Sequence, residues 1–226
     1  MSIDINLGSH FDITKPHILK RIKGWIKGGC VNFVWIGTPC SSWSRARRGP
    51  PNSSWCTIRS KQFLQGLPNL RPADQSKIDS GNKTAAISSE IISLCILLGV
   101  PCCIENPATS LLFESRYLKP KLADACCTTC KLDFCGYKAR WRKRTLLAAW
   151  HFPEIQEACR LCHSSNHICS FSGKPHIILT GADPSSGRLW TAVAEPYPKP
   201  LCTKLAGLIH DRIDTVQHSR IARLLI

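Results

Sequence analysis

Two short motifs supply a thiol and a carboxyl group, which are residue types that can take part in covalent catalysis. Cys40 lies in the stretch PCSSWS, and Glu105 opens the stretch ENP 65 residues later. A thiolate can form a covalent intermediate, and a carboxyl group beside it can exchange a proton with the molecule under attack. Cys40 and Glu105 are therefore candidate residues for such chemistry.

Basic residues follow the thiol closely, at Arg45, Arg47 and Arg48. Cations near a thiol favour its ionised form, and the same cations can hold phosphate groups. The whole chain has 30 Lys and Arg against 15 Asp and Glu, a net charge of +15. Such an excess favours a polyanionic partner over a merely solvated basic surface. Nucleic acid, and DNA in particular, is the partner that we expect, and no membrane.

Cysteine and histidine residues late in the chain have the composition of a tetrahedral zinc site. A Cys-x2-Cys pair can place two thiolates on one tight turn, and a distant pair completes the metal's shell. The predicted structural zinc ligands are Cys159, Cys162, Cys169 and His176. His163 and His167 are alternative ligands. Cys127 and Cys130 have the same spacing, but they fall in a predicted strand, so we interpret them as structural.

The elements predicted around these motifs alternate between strands and helices. Helices are predicted from residue 14 to 27 and over 73–98, 109–118 and 201–214, and strands over 31–36, 101–104, 125–135, 144–150 and 176–179. This alternation is typical of an α/β protein with a mostly parallel sheet, which binds ligands at the carboxyl ends of its strands. Both Cys40 and Glu105 follow such ends. The long loop over 39–72 is of a length that is usually functional or disordered.

The two motifs together resemble the DNA cytosine-5 methyltransferases. In that family the nucleophile lies in a Pro-Cys loop after one strand, and a Glu-Asn-Val or Glu-Asn-Pro tripeptide ends the next strand. The resemblance covers residues 31–150. It implies that the Cys40 thiolate attacks carbon 6 of a cytosine flipped out of the duplex, while Glu105 holds the exocyclic amine and protonates ring nitrogen 3. The methyl group would come from S-adenosyl-L-methionine.

A third stretch, GYKARWRKRT, ends at Thr145 and resembles the family's Gln-x-Arg-x-Arg strand start, whose cations contact the target base and its phosphate. The Gln position falls on Trp141, and the two Arg positions align with Lys143 and Thr145. Side chains alternate along a strand, so one pair faces the base and the other pair faces phosphates. The alignment favours Lys143 and Thr145 as the pair at the base, with Arg142 and Arg144 at the DNA backbone.

The cofactor half of the resemblance is incomplete. The family binds S-adenosyl-L-methionine with a Gly-rich turn, an acidic residue after the second strand and an Asp after the third. Asp4 and Asp12 match the last two by position, but no Phe-x-Gly-x-Gly occurs in the sequence. The resemblance thus implies a truncated Rossmann-like, S-adenosylmethionine-dependent methyltransferase sheet with a small Cys/His zinc-binding insert. It would be an enzyme if another segment or a second chain completed the cofactor site.

Two other hypotheses remain at this point: a catalytically inactive nucleic-acid-binding remnant or fragment of such an enzyme, and a structural zinc protein. The predicted domains are a methyltransferase-like core over 1–150, a Cys/His-rich zinc module over 151–180, and a segment over 181–226 that packs back on the core. The N-terminus lacks the basic and apolar regions of a signal peptide, and the longest apolar run, over 91–104, is too short to span a bilayer. We therefore expect reduced cysteines and an intracellular location, the nucleus in a eukaryote and otherwise the cytoplasm.

Overall fold

The computed structural model describes residues 1–45, 49, 53 and 56–224, with side chains described up to residue 216. Arg47 and Arg48, predicted to contact DNA, lie outside the described residues. The chain divides into two compact units. Unit 1 comprises Met1–Thr128 and Ala148–Pro153, and unit 2 comprises Thr129–Leu147 and Glu154–Ile226. These boundaries differ from the three predicted domains, because residues 129–147 belong with the Cys/His-rich segment and not with the predicted core.

A four-stranded mixed sheet confirms the predicted α/β class. Its strands are β1 (Val34–Ile36), β2 (Cys102–Pro107), β3 (Cys127–Asp133) and β4 (Arg144–Trp150), in the order β1-β2-β4-β3. Strands β1 and β2 are parallel, with Ile36 opposite Ile104. Their carboxyl ends therefore lie at the same edge of the sheet.

Strands β3 and β4 are antiparallel, which corrects the expectation of a mostly parallel sheet. The N–H of Phe134 donates to the carbonyl of Lys143 at 3.2 Å, and the N–H of His151 donates to the carbonyl of Cys126 at 3.2 Å. Residue numbers thus rise along one strand while they fall along its neighbour. The physical reason is the short connection, which contains only a 3-10 helix at Phe134–Tyr137. A parallel crossover needs about a dozen residues or more.

The helices are α1 (Pro16–Lys27), α2 (Pro72–Leu98), α3 (Lys119–Leu122), α4 (Trp190–Val193) and α5 (Lys199–Leu224). Helix α1 buries a single stripe of isoleucines, Ile18, Ile22 and Ile26, each spaced by four residues. Burying such a side chain contributes on the order of 1.5–3 kcal/mol. No helix in the described part of the chain combines the length and apolar character that crossing a bilayer would require.

Residues 1–12, which contain Asp4 and Asp12, include two 3-10 turns, Ile5–Leu7 and Ser9–Phe11. Two predicted elements have a different form. The helix predicted over 109–118 is a 3-10 helix at Leu111–Glu114, followed by the short α3. Residues 176–179 are not a strand.

Candidate functional site

The Pro-Cys loop after β1 forms one tight turn. The carbonyl of Cys40 accepts hydrogen bonds from the N–H groups of Trp43 at 2.9 Å and Ser44 at 2.8 Å. Trp43 is fully buried, and its indole N–H donates to the carbonyl of Gly81 in α2 at 3.3 Å. Cys40 itself is exposed. The buried tryptophan therefore holds the turn against the helix, and the turn presents Cys40 at the surface.

A buried arginine, Arg59, stabilises this turn through hydrogen bonds and a contact with the Trp43 ring. Its guanidinium lies 3.5 Å from the centre of the Trp43 ring, and its five N–H donors meet neutral acceptors. The acceptors are Ser42 O, Ser42 Oγ, Leu64 O, Ile78 O and Asn82 Oδ1. Burial lowers the pKa of Arg59 to about 10, so the group is charged at neutral pH. The sequence analysis missed Arg59, since nothing in its spacing distinguishes it from the neighbouring arginines.

The register of β1 and β2 determines where the two chemical motifs lie. Because Ile36 is opposite Ile104, Glu105 comes one residue after the paired positions of β2, and Cys40 comes four residues after the end of β1. Both residues belong to unit 1, with Cys40 after the carboxyl end of β1 and Glu105 within the last three residues of β2, which continues past the predicted end at residue 104. Ligands of α/β sheets bind at such ends.

Asn106, between Glu105 and the end of β2, connects the two motifs directly. Its side chain is fully buried, and its Nδ2 donates to the carbonyl of Thr38 at 2.8 Å. The Thr38 hydroxyl is hydrogen-bonded to the Ser88 hydroxyl of α2 at 2.7 Å. The residue two places before Cys40 is therefore held from one side by β2 and from the other by α2.

The two predicted cofactor residues cap local turns. Asp4 accepts a hydrogen bond from the N–H of Asn6 at 2.9 Å. Asp12 accepts from the hydroxyl of Thr14 at 2.7 Å and from its N–H at 2.9 Å, and these bonds lower the pKa of Asp12. Both carboxylates therefore accept hydrogen bonds within their own turns, and the sequence has no Gly-rich turn of the family type. The residues present thus do not fit an S-adenosyl-L-methionine site.

Unit 2 contains a cluster of three cysteines and one histidine that could bind a metal such as zinc. The members are Cys135, Cys162, Cys169 and His176, and their ligand atoms all lie within 4.8 Å of one another. Cys162 Sγ is 3.9 Å from Cys169 Sγ and 3.7 Å from His176 Nε2. Tetrahedral zinc with ordinary bond lengths places two sulfurs about 3.8 Å apart, and a sulfur and a nitrogen about 3.6 Å apart. These two separations are close to those of a zinc tetrahedron.

The composition of this cluster corrects one predicted ligand. Cys159 is exposed and lies outside the cluster; burial, and after it the interaction with the Cys159 thiol, raises the pKa of the buried Cys130. The fourth member of the cluster is Cys135, from the 3-10 helix after β3. His163 and His167 also lie outside the cluster. Local spacing could not identify Cys135, because it precedes Cys162 by 27 residues.

The thiols of the cluster have different acidities. Burial raises the pKa of Cys135, and hydrogen bonds to Cys162 and Cys169 raise it further. At Cys169 burial also opposes ionisation, but hydrogen bonds from the Ser172 hydroxyl and from the N–H groups of Phe171 and Ser172 outweigh it and lower the pKa to about 6. Thiolates are the form that binds metal.

A buried carboxylate, Asp133, supports the Cys3His cluster. Its oxygens accept from the N–H of Cys162 at 2.8 Å, from Arg144 at 2.7 and 2.8 Å, and from Arg142 at 3.3 Å. Although burial favours the neutral acid, the bonds from Arg144 and Cys162 hold the pKa of Asp133 below its ordinary value. The two arginines predicted to contact DNA phosphates are therefore hydrogen-bonded to Asp133.

The two residues predicted to face the target base lie in unit 2. The Lys143 ammonium donates to the carbonyls of Ala194 at 3.2 Å and Glu195 at 3.3 Å, and it lies 4.8 Å from the centre of the Phe134 ring. Thr145 is buried on β4. Arg45 forms an ion pair with Glu114 at 2.6 Å in unit 1.

Comparison of the chain with protein-family models, with curated proteins and with solved structures found no match. The residues of the two units are therefore the basis for proposing a function. Unit 1 contributes an exposed thiol and a carboxyl group at one sheet edge, and unit 2 contributes a Cys3His cluster with a buried supporting carboxylate.

Proposed function

We propose that unit 1 carries the nucleophile-bearing part of a DNA cytosine-5 methyltransferase-like centre. The observation that carries the proposal is the hydrogen bond from Asn106 to Thr38, which joins the Pro-Cys loop and the Glu-Asn-Pro tripeptide at the carboxyl edge of two parallel strands. This is the placement of the two motifs that the family resemblance implies. The net charge of +15 is consistent with a nucleic-acid substrate.

The proposed chemical step is addition of a thiolate to a pyrimidine ring. The Cys40 sulfur forms a bond to carbon 6 of cytosine, the carbon 5–carbon 6 double bond is lost, and ring nitrogen 3 takes a proton from Glu105. Carbon 5 then becomes the nucleophilic position. The cytosine must leave the base stack for the sulfur to reach it. Methyl transfer from S-adenosyl-L-methionine would additionally require a Gly-rich turn from outside this sequence.

A covalent trapping experiment tests the thiol step without the methyl donor. Full-length protein, purified under reducing conditions with zinc, is mixed with a pool of duplexes that carry 5-azacytosine and randomised flanks. This ring accepts a thiol at carbon 6 and forms a stable adduct without methyl transfer. We expect a denaturation-resistant adduct with wild type and none with Cys40→Ser. An adduct that persists in the C40S protein would refute the assignment of the nucleophile.

The alternative is a catalytically inactive nucleic-acid-binding remnant of such an enzyme. The caps made by Asp4 and Asp12 favour it, since both carboxylates stabilise local turns. The same experiment separates the two functions. Salt-dependent duplex binding with no adduct at any protein concentration would support the remnant, whereas an adduct that depends on Cys40 would support the catalytic centre.

A further inference from the structure

A cavity of about 310 Å³ adjoins the turn that presents Cys40. It lies within unit 1. The residues that line it are Ser42, Ser44, Arg45, Thr57, Ile58, Arg59, Ser60, Lys61 and Leu111. Seven of these nine are cationic or hydroxyl-bearing, and no acidic residue is among the described residues that line the cavity. Its volume is sufficient for a tetrahedral oxyanion and part of the molecule attached to it.

The positive charge of Arg59 is not neutralised within the described part of the chain. Its side chain is only 4% exposed, and all five of its N–H groups meet neutral oxygens. No carboxylate forms an ion pair with it among the described residues. A charge in a buried environment of lower dielectric acts more strongly on a nearby opposite charge than it would in water. Arg59 therefore makes the cavity wall attractive to an anion without donating a hydrogen bond to it.

Groups that could donate hydrogen bonds to an anion lie at the same cavity. Lys61 is exposed and has no ion pair among the residues that the structure describes. The Ser60 hydroxyl accepts from the N–H of Phe63 at 3.1 Å, and the Ser42 hydroxyl accepts from Arg59 at 3.2 Å. A hydroxyl that accepts a bond through its oxygen keeps its own hydrogen for another acceptor. One ammonium and two hydroxyls can thus bind the oxygens of an anion.

We propose that this cavity binds a phosphate group of the nucleic-acid backbone. The proposal rests on the proposed function for its choice of partner. Ser42, which lines the cavity, is two residues after Cys40, so a phosphate there belongs to a nucleotide at or next to the attacked base. Phosphate contacts of this kind fix the register of a protein on DNA and carry no sequence information.

The test measures the salt dependence of duplex binding with full-length wild type, Lys61→Ala and Lys27→Ala. Lys27 is an exposed lysine of α1 in the same unit and outside the cavity, so K27A is matched in charge change and in size. Loss of one phosphate contact lowers the slope of log affinity against log salt by about 0.9 on duplex DNA. We expect that decrease for K61A and a wild-type slope for K27A. Equal slopes for K61A and wild type would overturn the proposal.

A second measurement uses inorganic phosphate as the probe, with chloride at equal ionic strength as its reference. If phosphate raises the thermal stability of wild type but not of K61A, while the duplex slopes are equal, the cavity binds a free oxyanion and the backbone assignment is wrong. Ser60→Ala gives an uncharged check, for which we expect weaker duplex binding at an unchanged slope.

The two proposals fail in distinguishable ways. A Cys40-dependent adduct with 5-azacytosine and no effect of K61A on the slope would leave the thiol chemistry intact and reject the phosphate cavity. A lower slope in K61A, with no adduct in wild type, would retain the cavity as a nucleic-acid contact and reject catalysis.

Discussion

The side-chain amide of Asn106 donates a 2.8 Å hydrogen bond to the main-chain carbonyl of Thr38, and both residues are buried. The two are 68 positions apart in the sequence; Asn106 belongs to one of the two motifs that suggested the chemistry, and Thr38 immediately precedes the other. The bond therefore helps to hold the Pro-Cys loop against β2, the strand that contains Glu105. It also gives the Asn of the tripeptide a physical role that is separate from chemistry.

Replacing Asn106 with leucine, which has a similar volume, should destabilise unit 1. The Thr38 carbonyl would lose its side-chain donor in a buried place, which costs about 1–3 kcal/mol. Urea unfolding followed by tryptophan fluorescence measures this change, and the 5-azacytosine adduct should form more slowly. Thr38→Val is the matched control, because it removes the bond to Ser88 and keeps the carbonyl. A wild-type unfolding midpoint in N106L would contradict the role of the bond.

Gly81→Ala should destabilise the protein although alanine favours helices. A Cβ at position 81 would lie 2.1 Å from Ser42 Oγ and 2.9 Å from Arg59 Nη2. We expect a net loss of about 1–3 kcal/mol from this overpacking. The control is Gly24→Ala in α1, where nothing lies within 4 Å, and which should gain about 0.5–1 kcal/mol. Effects of the same sign in the two variants would count against close packing of the loop on α2.

Cys135→Ser should abolish metal binding, and Cys159→Ser should retain it. Only the first of these thiols belongs to the cluster with Cys162, Cys169 and His176. Metal analysis of protein purified under reducing conditions without chelator should find about one zinc per chain in wild type and in C159S. Zinc loss in C159S with retention in C135S would restore the ligand set predicted from the spacing.

Asp133→Asn should weaken zinc binding although Asp133 is not itself a ligand. The carboxylate positions the backbone of Cys162 and is held by Arg144, and loss of such outer contacts typically costs 10–100-fold in affinity. Competition with a chromogenic zinc chelator measures the affinity. Asp183→Asn removes the same charge from a turn where the carboxylate bonds to Ser185 and Ser186, and it should bind zinc as wild type does. Equal affinities for D133N and D183N would remove Asp133 from the metal centre.

The stability of unit 1 should depend on Asp74 at acid pH. Hydrogen bonds from Arg71 and then Lys77 hold the pKa of this buried carboxyl below its ordinary value of 3.8. A carboxyl with a lowered folded-state pKa contributes stability that is complete above its unfolded value and is lost as the pH falls through the folded value. The stability difference between wild type and Asp74→Asn should therefore be constant above about pH 5 and shrink below 3.8.

Urea midpoints measured between about pH 3 and pH 7 test this dependence. Asp79→Asn, an exposed position on the same helix, is the matched control. If D79N changed the urea midpoints below about pH 4 as much as D74N does, the effect would come from net charge and not from the Asp74 hydrogen bonds.

Local patterns in the sequence were sufficient for much of unit 1. The four-residue spacing of Ile18, Ile22 and Ile26 predicted the buried face of α1, because a helix repeats on nearly that period. The Gly-Thr-Pro segment after an apolar run predicted that β1 ends at Ile36, and hence that Cys40 follows a strand end, whereas β2 continues past the predicted end and includes Glu105. Three of the four cluster ligands came from the Cys and His spacing near residue 170, where ligands are close in sequence.

Other features depended on residues that the chain brings together from a distance, which no local period records. Cys135 joined the metal cluster across 27 residues, and Asn106 met Thr38 across 68. Arg59 is buried because the loop packs its guanidinium against the Trp43 ring. Its N–H groups donate there to neutral oxygens from several segments of the chain. The antiparallel pairing of β3 and β4 followed from a connection too short for a crossover. Apart from the short connection, each of these features depends on residues that lie far apart in the sequence, and only the folded chain brings them together.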